Sequence, residues 1–219
     1  MNITISENIK QHCPKLTLAT LLCEVSNRET SAELWNEMEV ECRRIAENYK
    51  IEDINKGTAI AATRKMYKDL GKDPNRYRPS AEALCRRIVR EIPVYRVNAL
   101  VDIINIVSIR SGFSIGGFDA DLIQGNLELG VGRSEDHFEA IGRGVLNVEN
   151  LPLYRDEIGG IGTPTSDHER TKISLETKHL LVIINGYSGK ENLEETVEFL
   201  LEQLRKHLSL KNYKVEYIY

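Results

Sequence analysis

Cysteine is scarce in this chain of 219 residues, and its four cysteines lie far apart. Cys13, Cys23, Cys42 and Cys85 form no Cys-x-x-Cys pair, the spacing found in many zinc sites and redox motifs. We therefore predict reduced thiols in a cytoplasmic protein, with no disulfide framework and no metal site. No motif calls for a cofactor, and we expect none.

Long apolar runs and a recognisable secretory leader are also missing. No segment approaches the roughly 18 consecutive apolar residues of a membrane helix. The N-terminal sequence MNITISENIKQHC has no basic region followed by an apolar one. The sequence therefore predicts no membrane association. Hydrophobic residues make up 41% and charged residues 28%, which is typical of a globular domain with a sizeable core.

Excess positive charge is lacking overall but present locally. The net charge is -4, whereas proteins that bind nucleic acid through bulk electrostatics are usually basic. The segment 64–90 nevertheless has nine basic and three acidic residues, a local net charge of +6 (9 minus 3). Such a segment could bind a phosphate backbone. The alternative is a solvated helical surface whose acidic partners lie within the same protein.

The stretch 98–121 is apolar, then glycine-rich, then acidic, and the rest of the chain is organised around it. Its apolar residues follow the i, i+3, i+4, i+7 spacing of one helical face: Leu100, Ile103, Ile104 and Val107. We predict a helix that ends at Gly112, with Asn105 on its polar face. The pair Gly116-Gly117 then allows a sharp turn or a close backbone approach. This pattern fits a pocket wall, or a core helix followed by an ordinary turn.

The remaining patterns predict helices in the first half and strands in the second. Residues 3–5 and 16–25 are predicted strands that pair with each other across a turn at Cys13-Pro14. Thr30 to Glu33 is a predicted capping box with Thr30 as the cap. Further helices are predicted after this box, at 58–70, from Ser80, and at 191–207. Further strands are predicted at 122–129, 141–148, 152–154, 171–174, 180–184 and 215–219. The combination indicates an α+β fold.

Motifs for catalysis are lacking as well. The sequence has no Gly-x-Ser-x-Gly, no His-Glu-x-x-His and no Gly-x-Gly-x-x-Gly. The run Asp167-His168-Glu169 is interpreted as a solvated polar loop, because a metal site would need more ligands. The residues alone therefore name no reaction.

A series of stretches resembles the B3/B4 domain of the phenylalanyl-tRNA synthetase β subunit, in its free-standing form. In chain order they are RPSAEALCRRI, LVDIINIVSIRSG, IGGFDADLIQGNLELGVGRSE and TKISLETKHLLVIING. The resemblance covers about half of the chain. It implies one domain over 1–219, built of mixed sheets in a sandwich with flanking helices. The family-like core would be about 78–187, with 1–63 and 190–219 as elaborations.

In that family the domain hydrolyses tyrosine wrongly attached to phenylalanine tRNA. Such a site must recognise a phenolic hydroxyl, which a buried polar group does well. The resemblance implies that Glu157 reads the amino-acid side chain and that Thr177 orients the water or the ester, as a catalytic pair. It implies a substrate-binding set made up of Asn105, Gly116, Gly117, Gly142, Gly144 and His179. Phosphate contacts would come from Arg76, Arg78, Arg86 and Arg87.

Two departures from the family pattern separate the functional hypotheses. Gly116 stands where the synthetase domain often has a histidine, and His179 stands where a small residue is expected. The first hypothesis is a domain that binds tRNA or aminoacyl-tRNA, with hydrolysis of mischarged tyrosyl-tRNA as its reaction; the basic segment favours it. The second is a non-catalytic module that binds an amino acid or another small molecule, which the departures and the net charge favour. The third is a partner-binding domain that uses its sheet surface.

Overall fold

The computed structural model describes all residues, 1–219, and arranges them in three layers: helices, one four-stranded sheet and a second four-stranded sheet. The strands are β1 (Ile3–Ile5), β2 (Thr17–Glu24), β3 (Ile115–Asp119), β4 (Leu127–Val131), β5 (Glu139–Ala140), β6 (Gly144–Val145), β7 (Pro152–Arg155), β8 (Gly160–Gly162), β9 (His179–Gly186) and β10 (Lys211–Ile218). The helices are α1 (Glu7–His12), α2 (Ala32–Asn48), α3 (Thr58–Asp69), α4 (Ser80–Val89), α5 (Ala99–Ser111) and α6 (Leu193–His207). The α+β prediction is confirmed. None of these helices has the length and apolar content to cross a membrane.

The two sheets have their hydrophobic faces against each other. Sheet I has the strand order β1-β4-β7-β8, and sheet II has the order β10-β2-β9-β3. Within β9, Leu180, Val182 and Ile184 pack into the helical layer. Leu181 and Ile183 pack against sheet I. Because successive side chains of a strand point to opposite faces, the apolar run 180–184 belongs to a strand buried on both sides, as predicted.

The helix predicted within 98–121 is confirmed as α5, at the centre of the helical layer. Nine of its 13 residues are buried. The side chain of Asn98 caps the start by accepting a hydrogen bond from the Val101 N–H at 3.1 Å. Gly112 ends the helix with φ of +78°, a conformation that glycine adopts without a steric cost. The many β-branched residues do not prevent the helix, because burial against two layers outweighs their weak strand preference.

The predicted pairing of the two N-terminal strands is wrong. β1 pairs in parallel with β4 in sheet I, whereas β2 lies between β9 and β10 in sheet II. The helix α1 separates them, so the connection is not a hairpin turn. The N-terminal residues are therefore part of both sheets.

The predicted cap of α2 is shifted by one residue. Ser31, not Thr30, accepts the hydrogen bond from the Leu34 N–H, at 3.2 Å. The hydroxyl of Thr30 instead donates to the carboxylate of Asp102 on α5, which is fully buried. Buried polar groups need hydrogen-bond partners, so this contact satisfies the Asp102 carboxyl and joins the start of α2 to α5.

Three predicted strands differ in the structure. Residues 171–174 form the end of a short 3-10 turn, Glu169–Thr171, and a loop. The stretch 141–148 contains the turn and second strand of the small hairpin β5–β6, with Gly142 and Gly144 at positive φ. The strand predicted to begin at 122 begins at Leu127, because Leu122 ends another 3-10 turn, Ala120–Leu122, and residues 123–126 form a loop. The helix predicted at 191–207 and the strands predicted at 152–154 and 215–219 are confirmed as α6, β7 and β10.

Candidate functional site

The free edges of the two sheets meet at Asp167. β3 is an edge of sheet II, and β8 is an edge of sheet I. The chain leaves β8, turns, and returns so that Asp167 pairs with Gly162 of β8. The Asp167 carboxylate accepts a hydrogen bond from the Gly117 N–H of β3 at 3.2 Å. One side chain thus connects both edges.

Glycines make room for this carboxylate. A Cβ placed on Gly116 would lie 2.7 Å from the Phe118 ring and 3.5 Å from Asp167 Oδ1. A Cβ on Gly162 would lie 2.6 Å from the same ring and 2.9 Å from the same oxygen. Real Cβ contacts are not this short, so a side chain at either position would displace the ring or the carboxylate. The glycines therefore form a close-fitting wall around Asp167.

The surroundings of Asp167 favour its neutral form. Burial of the carboxyl raises its pKa to about 7, against the opposing effect of the Gly117 N–H. The Oδ1 atom accepts no protein hydrogen bond, and the residue as a whole keeps some contact with solvent. A carboxyl that titrates near neutral pH can both accept and donate a proton. This combination is typical of a general acid–base group.

A second group of side chains lies at the C-terminal end of β3. The buried hydroxyl of Thr177 donates to Asp119 Oδ2 at 2.7 Å and accepts from the Ser174 N–H at 2.9 Å. His179 Nδ1 lies 2.8 Å from the carboxylate of Asp121. This exposed pair raises the pKa of His179 through the Asp121 hydrogen bond. Asp119, the last residue of β3, and Asp121, just after it, thus hold both predicted site residues in place.

Glu157 lies in the β7–β8 turn at the same end of the molecule. Its backbone N–H donates to Gln124 O at 3.1 Å, and its exposed side chain packs over Gly125. The neighbouring Asp156 holds the turn by accepting two hydrogen bonds from Arg170, at 2.8 and 2.9 Å. Burial opposes the ionised form of Asp156, but the Arg170 hydrogen bonds prevail and lower its pKa. The Glu157 carboxylate is left free.

His168 packs beside Asp167 in a neutral form. Its Nδ1 accepts a hydrogen bond from the Arg170 N–H at 2.9 Å, and its ring meets the edge of Phe138 with centroids 5.0 Å apart. Burial, with the nearby Arg170 charge, lowers the pKa of His168. At neutral pH the ring therefore has its proton on Nε2. Asp167, His168 and Glu169 are thus not the freely solvated run that the sequence suggested.

The remaining predicted substrate-binding residues lie at three places around Asp167. Gly142 and Gly144 are in the exposed turn of the β5–β6 hairpin, where the Gly142 N–H donates to Glu169 Oε1 at 3.3 Å. Gly116 faces sheet I, whereas Gly117 faces α5, where a Cβ would lie 2.5 Å from Ile104 Cδ1. Asn105, partly buried on α5, is on the helical side of sheet II. The structure thus places Thr177 and His179 at one rim, the C-terminal end of β3, and Glu157 in the β7–β8 turn, and it leaves Asn105 on the far side of β3.

The basic segment 64–90 is partly neutralised within the fold. Glu82, fully buried, accepts from Arg64 at 2.8 Å and from Arg86 at 2.7 Å. Arg87 donates to the Pro93 carbonyl and lies over the Tyr95 ring, 4.3 Å from its centroid. Arg76 and Arg78 are exposed on the loop between α3 and α4. Arg86 is therefore committed to an ion pair, and the exposed charge is smaller than the sequence suggests.

Only one set of side chains has ligand atoms close enough to suggest a metal ion. Glu33, Glu37 and His207 have such atoms within 4.8 Å of one another. Lys206 Nζ lies 2.9 Å from Glu37 and 3.7 Å from Glu33. This ammonium group already supplies the positive charge that the two carboxylates attract.

Sequence reasoning missed three acidic residues that organise the site: Asp119, Asp156 and Asp167. Asp119 had a signal, since it directly follows the apolar and glycine-rich run 115–118 that forms most of the buried strand β3. Asp156 and Asp167 had none, because their partners Arg170 and Gly117 are 14 and 50 positions away along the chain. An acidic residue in a loop is ordinarily solvated, and only the fold shows these to be engaged.

The chain matches a family model and resembles solved structures at low sequence identity. A family model described as the B3/4 domain matches residues 62–202. No curated protein matches the chain. A solved structure that it resembles is an N-terminal fragment of the phenylalanyl-tRNA synthetase β-subunit from Pyrococcus horikoshii, with a TM-score of 0.47 and 12% identity. That match covers 96% of this chain and 50% of the fragment, so the chain spans about half of the fragment's length. Because the family model covers more than half of the 219 residues, the chain belongs to the B3/4 domain family.

Proposed function

We propose that this chain is a cytoplasmic domain that binds aminoacyl-tRNA and hydrolyses the ester between a wrongly attached tyrosine and phenylalanine tRNA. The observation that carries the proposal is Asp167, whose unpaired Oδ1 and raised pKa stand beside a glycine wall inside the region that the family model matches. The substrate class follows from the family membership, together with the resemblance of the sequence to the synthetase editing domain.

In this proposal Asp167 acts as the general base. Its carboxylate takes a proton from a water molecule while the water oxygen bonds to the ester carbonyl carbon. The bond between that carbon and the ribose oxygen then breaks, and the proton passes to the ribose oxygen. The products are free amino acid and uncharged tRNA. Thr177, held by Asp119, supports the rim, and the free carboxylate of Glu157 meets the amino-acid side chain.

In this proposal the exposed arginines bind the same RNA that places its ester at Asp167, and two hydrogen bonds between their segment and residues 164–165 support this. The Ser80 N–H, at the start of α4, donates to the carbonyl of Pro164 at 2.8 Å. Tyr67 on α3 shares a hydrogen bond of 2.8 Å with Thr165. The loop with Arg76 and Arg78 is therefore anchored beside the segment that leads into Asp167. Arg76, Arg78 and Arg87 meet the phosphates, and Arg86 holds the loop through Glu82.

The salt dependence of tRNA binding tests this RNA contact. Each phosphate contact adds about 1 to the slope of log affinity against log salt. The double variant Arg76→Gln/Arg78→Gln is expected to lower this slope by about 2. The control is Arg43→Gln on α2, whose side chain is 62% exposed and far from Asp167 in the sequence. Equal slopes in all three proteins would refute the contact.

A second candidate function is non-catalytic binding of an amino acid or a similar small molecule. The observation that favours it is the Thr177 hydroxyl, which already donates its one proton to Asp119 and so has none to offer to a water molecule or an ester. The net charge of -4 also disfavours long contacts with RNA. Binding of free tyrosine that does not change with salt, without any tRNA binding, would establish this function in place of the first.

A further inference from the structure

One long edge of the two large sheets has no partner. β10 is the outer strand of sheet II and pairs only with β2. No backbone hydrogen bond joins β10 to any other segment. The other edges are short or engaged, since β1 has three residues, and Gly162 of β8 and Gly117 of β3 both have Asp167 as a partner. The eight-residue β10 is therefore the one long edge that the fold leaves open.

An open edge of this kind can pair with another strand. Its outward backbone N–H and C=O groups form a row of unused donors and acceptors. Five of the eight residues of β10 are exposed, and the strand contains no proline that would interrupt the row. A bulge between Lys211 and Lys214 ends the regular pairing with β2. Any added strand should therefore pair mainly with the residues that follow this bulge.

The sequence of β10 is complementary to itself in an antiparallel pair. A two-fold axis at Val215 places Lys214 opposite Glu216 of the partner subunit, and Tyr213 opposite Tyr217 of the partner subunit. Opposite charges and aromatic pairs at such positions stabilise a sheet. Moving the axis by one residue in either direction would place Lys214 or Glu216 opposite its own copy, and like charges there are destabilising. The charges thus favour one register.

The side chains that this register uses are accessible and held in place. Lys214 and Glu216 are 67% and 52% exposed, and Lys214 Nζ lies 2.8 Å from Glu216 Oε1. Both charges are on one face of the strand, because residues two apart point the same way. On the other face, the exposed Tyr213 accepts a hydrogen bond from Arg205 of α6 at 2.9 Å. A second copy would extend the ion pair to a network of four charges.

We propose that β10 binds a second copy of this chain, with the two β10 strands antiparallel about an axis at Val215. The two copies of sheet II, with four strands each, then form one continuous sheet. Because β3 is the opposite edge of sheet II, both candidate sites lie at the outer ends of this joined sheet and stay accessible. The interface contains no residue of the candidate site and does not depend on the hydrolysis proposed for Asp167.

Charge reversal tests the register without changing the core. Lys214→Glu places two carboxylates opposite each other in a homodimer, and Glu216→Lys places two ammonium groups opposite each other. A mixture of the two variants restores opposite charges in the mixed dimer, and so does the double variant Lys214→Glu/Glu216→Lys in its homodimer. The matched controls are Arg43→Glu and Glu39→Lys, which change the net charge equally at an exposed ion pair of α2.

Sedimentation equilibrium at low salt, over roughly 1–100 μM, measures the dissociation constant of a dimer with micromolar affinity. The unaltered protein is expected to form a dimer. The dissociation constant should rise about tenfold or more in each single variant, because like charges oppose association. It should recover in the mixture and in the double variant, and the two α2 controls should match the unaltered protein. Melting temperatures should not change, since the altered side chains are exposed.

Three results would overturn the proposal. The first is an unaltered protein that stays monomeric over the whole concentration range. The second is a dimer that the β10 variants leave unchanged or that the α2 controls weaken equally, because the contact would then lie elsewhere or depend only on net charge. The third is a mixture of Lys214→Glu and Glu216→Lys that associates no better than either variant alone, because the two charges would then not face each other.

Discussion

At the scale of single residues, the protein holds the carboxyl of Asp167 in surroundings that oppose its charge. Burial raises the pKa of Asp167 to about 7, whereas an aspartate in an unfolded chain titrates near 3.9. Between these pH values the folded state binds more protons than the unfolded state. The free energy of unfolding therefore falls as pH rises from about 4 to about 7. This loss of stability accompanies the reactivity that the proposed function requires.

Replacing Asp167 with asparagine should make the protein more stable at pH 8. The gain should be about 2–4 kcal/mol, because the substitution removes a desolvated charge, and it should vanish near pH 4. Urea denaturation at both pH values measures it. Glu47→Gln, at an exposed position of α2 without a side-chain partner, is the control and should show no such dependence. A variant that is less stable than the unaltered protein at pH 8 would contradict this description of Asp167.

Thr177 offers a second test at this scale. Replacing it with valine leaves the buried Asp119 without its donor at 2.7 Å, and the protein should lose about 1–3 kcal/mol of stability. The control is Thr4→Val, an exposed residue of β1 with a weak hydrogen bond of 3.4 Å. This control should change stability by less than about 0.5 kcal/mol. Equal effects of the two substitutions in thermal denaturation would contradict the role given to Thr177.

At the scale of elements, α4 depends on an ion pair as well as on its apolar face. Glu82 is fully buried and holds both Arg64 of α3 and Arg86 of α4. A buried charge that loses its partner destabilises a protein more than an exposed pair does. The connection between α3 and α4, with the basic loop between them, is therefore fixed by one carboxylate.

Replacing Glu82 with glutamine should lower the free energy of unfolding by about 3 kcal/mol, because two arginines lose their counter-charge. The matched control is Glu39→Gln on α2, which breaks an exposed pair with Arg43 at 3.9 Å. That change should cost less than about 1 kcal/mol. Similar melting temperatures for the two variants would show that the buried pair does not hold these helices.

The elements themselves could largely be predicted, but their partners could not. The spacing of Leu100, Ile103 and Val107 predicted α5, and Gly112 predicted its end, because both are local properties of the backbone. The apolar run 180–184 predicted a strand buried on both faces. The pairing of β1 with β4 joins residues more than a hundred positions apart. No local signal specifies such a pairing.

At the scale of the whole molecule, the candidate site forms where two sheets end. The backbone of Asp167 pairs with Gly162 at the edge of β8, and its side chain accepts a hydrogen bond from Gly117 at the edge of β3. Without such partners, a sheet edge exposes backbone donors and acceptors. The family resemblance pointed to Thr177 and His179, at the C-terminal end of β3, and to Glu157, in the β7–β8 turn. It did not point to Asp167, since the desolvation of that carboxyl arises only when the sheets pack together. The roles of Glu157, Thr177 and His179 stay predictions, and the sequence alone does not reveal the raised pKa of Asp167.

The most direct test of the account is deacylation of tyrosyl-tRNA that has the phenylalanine anticodon. The account predicts release of tyrosine above the spontaneous rate, lost in Asp167→Asn and reduced in Glu157→Ala, with Glu47→Gln unaffected. The rate should rise with pH through about 7, as Asp167 ionises. Release at the spontaneous rate by the folded, unaltered protein, or full activity in Asp167→Asn, would contradict the central claim.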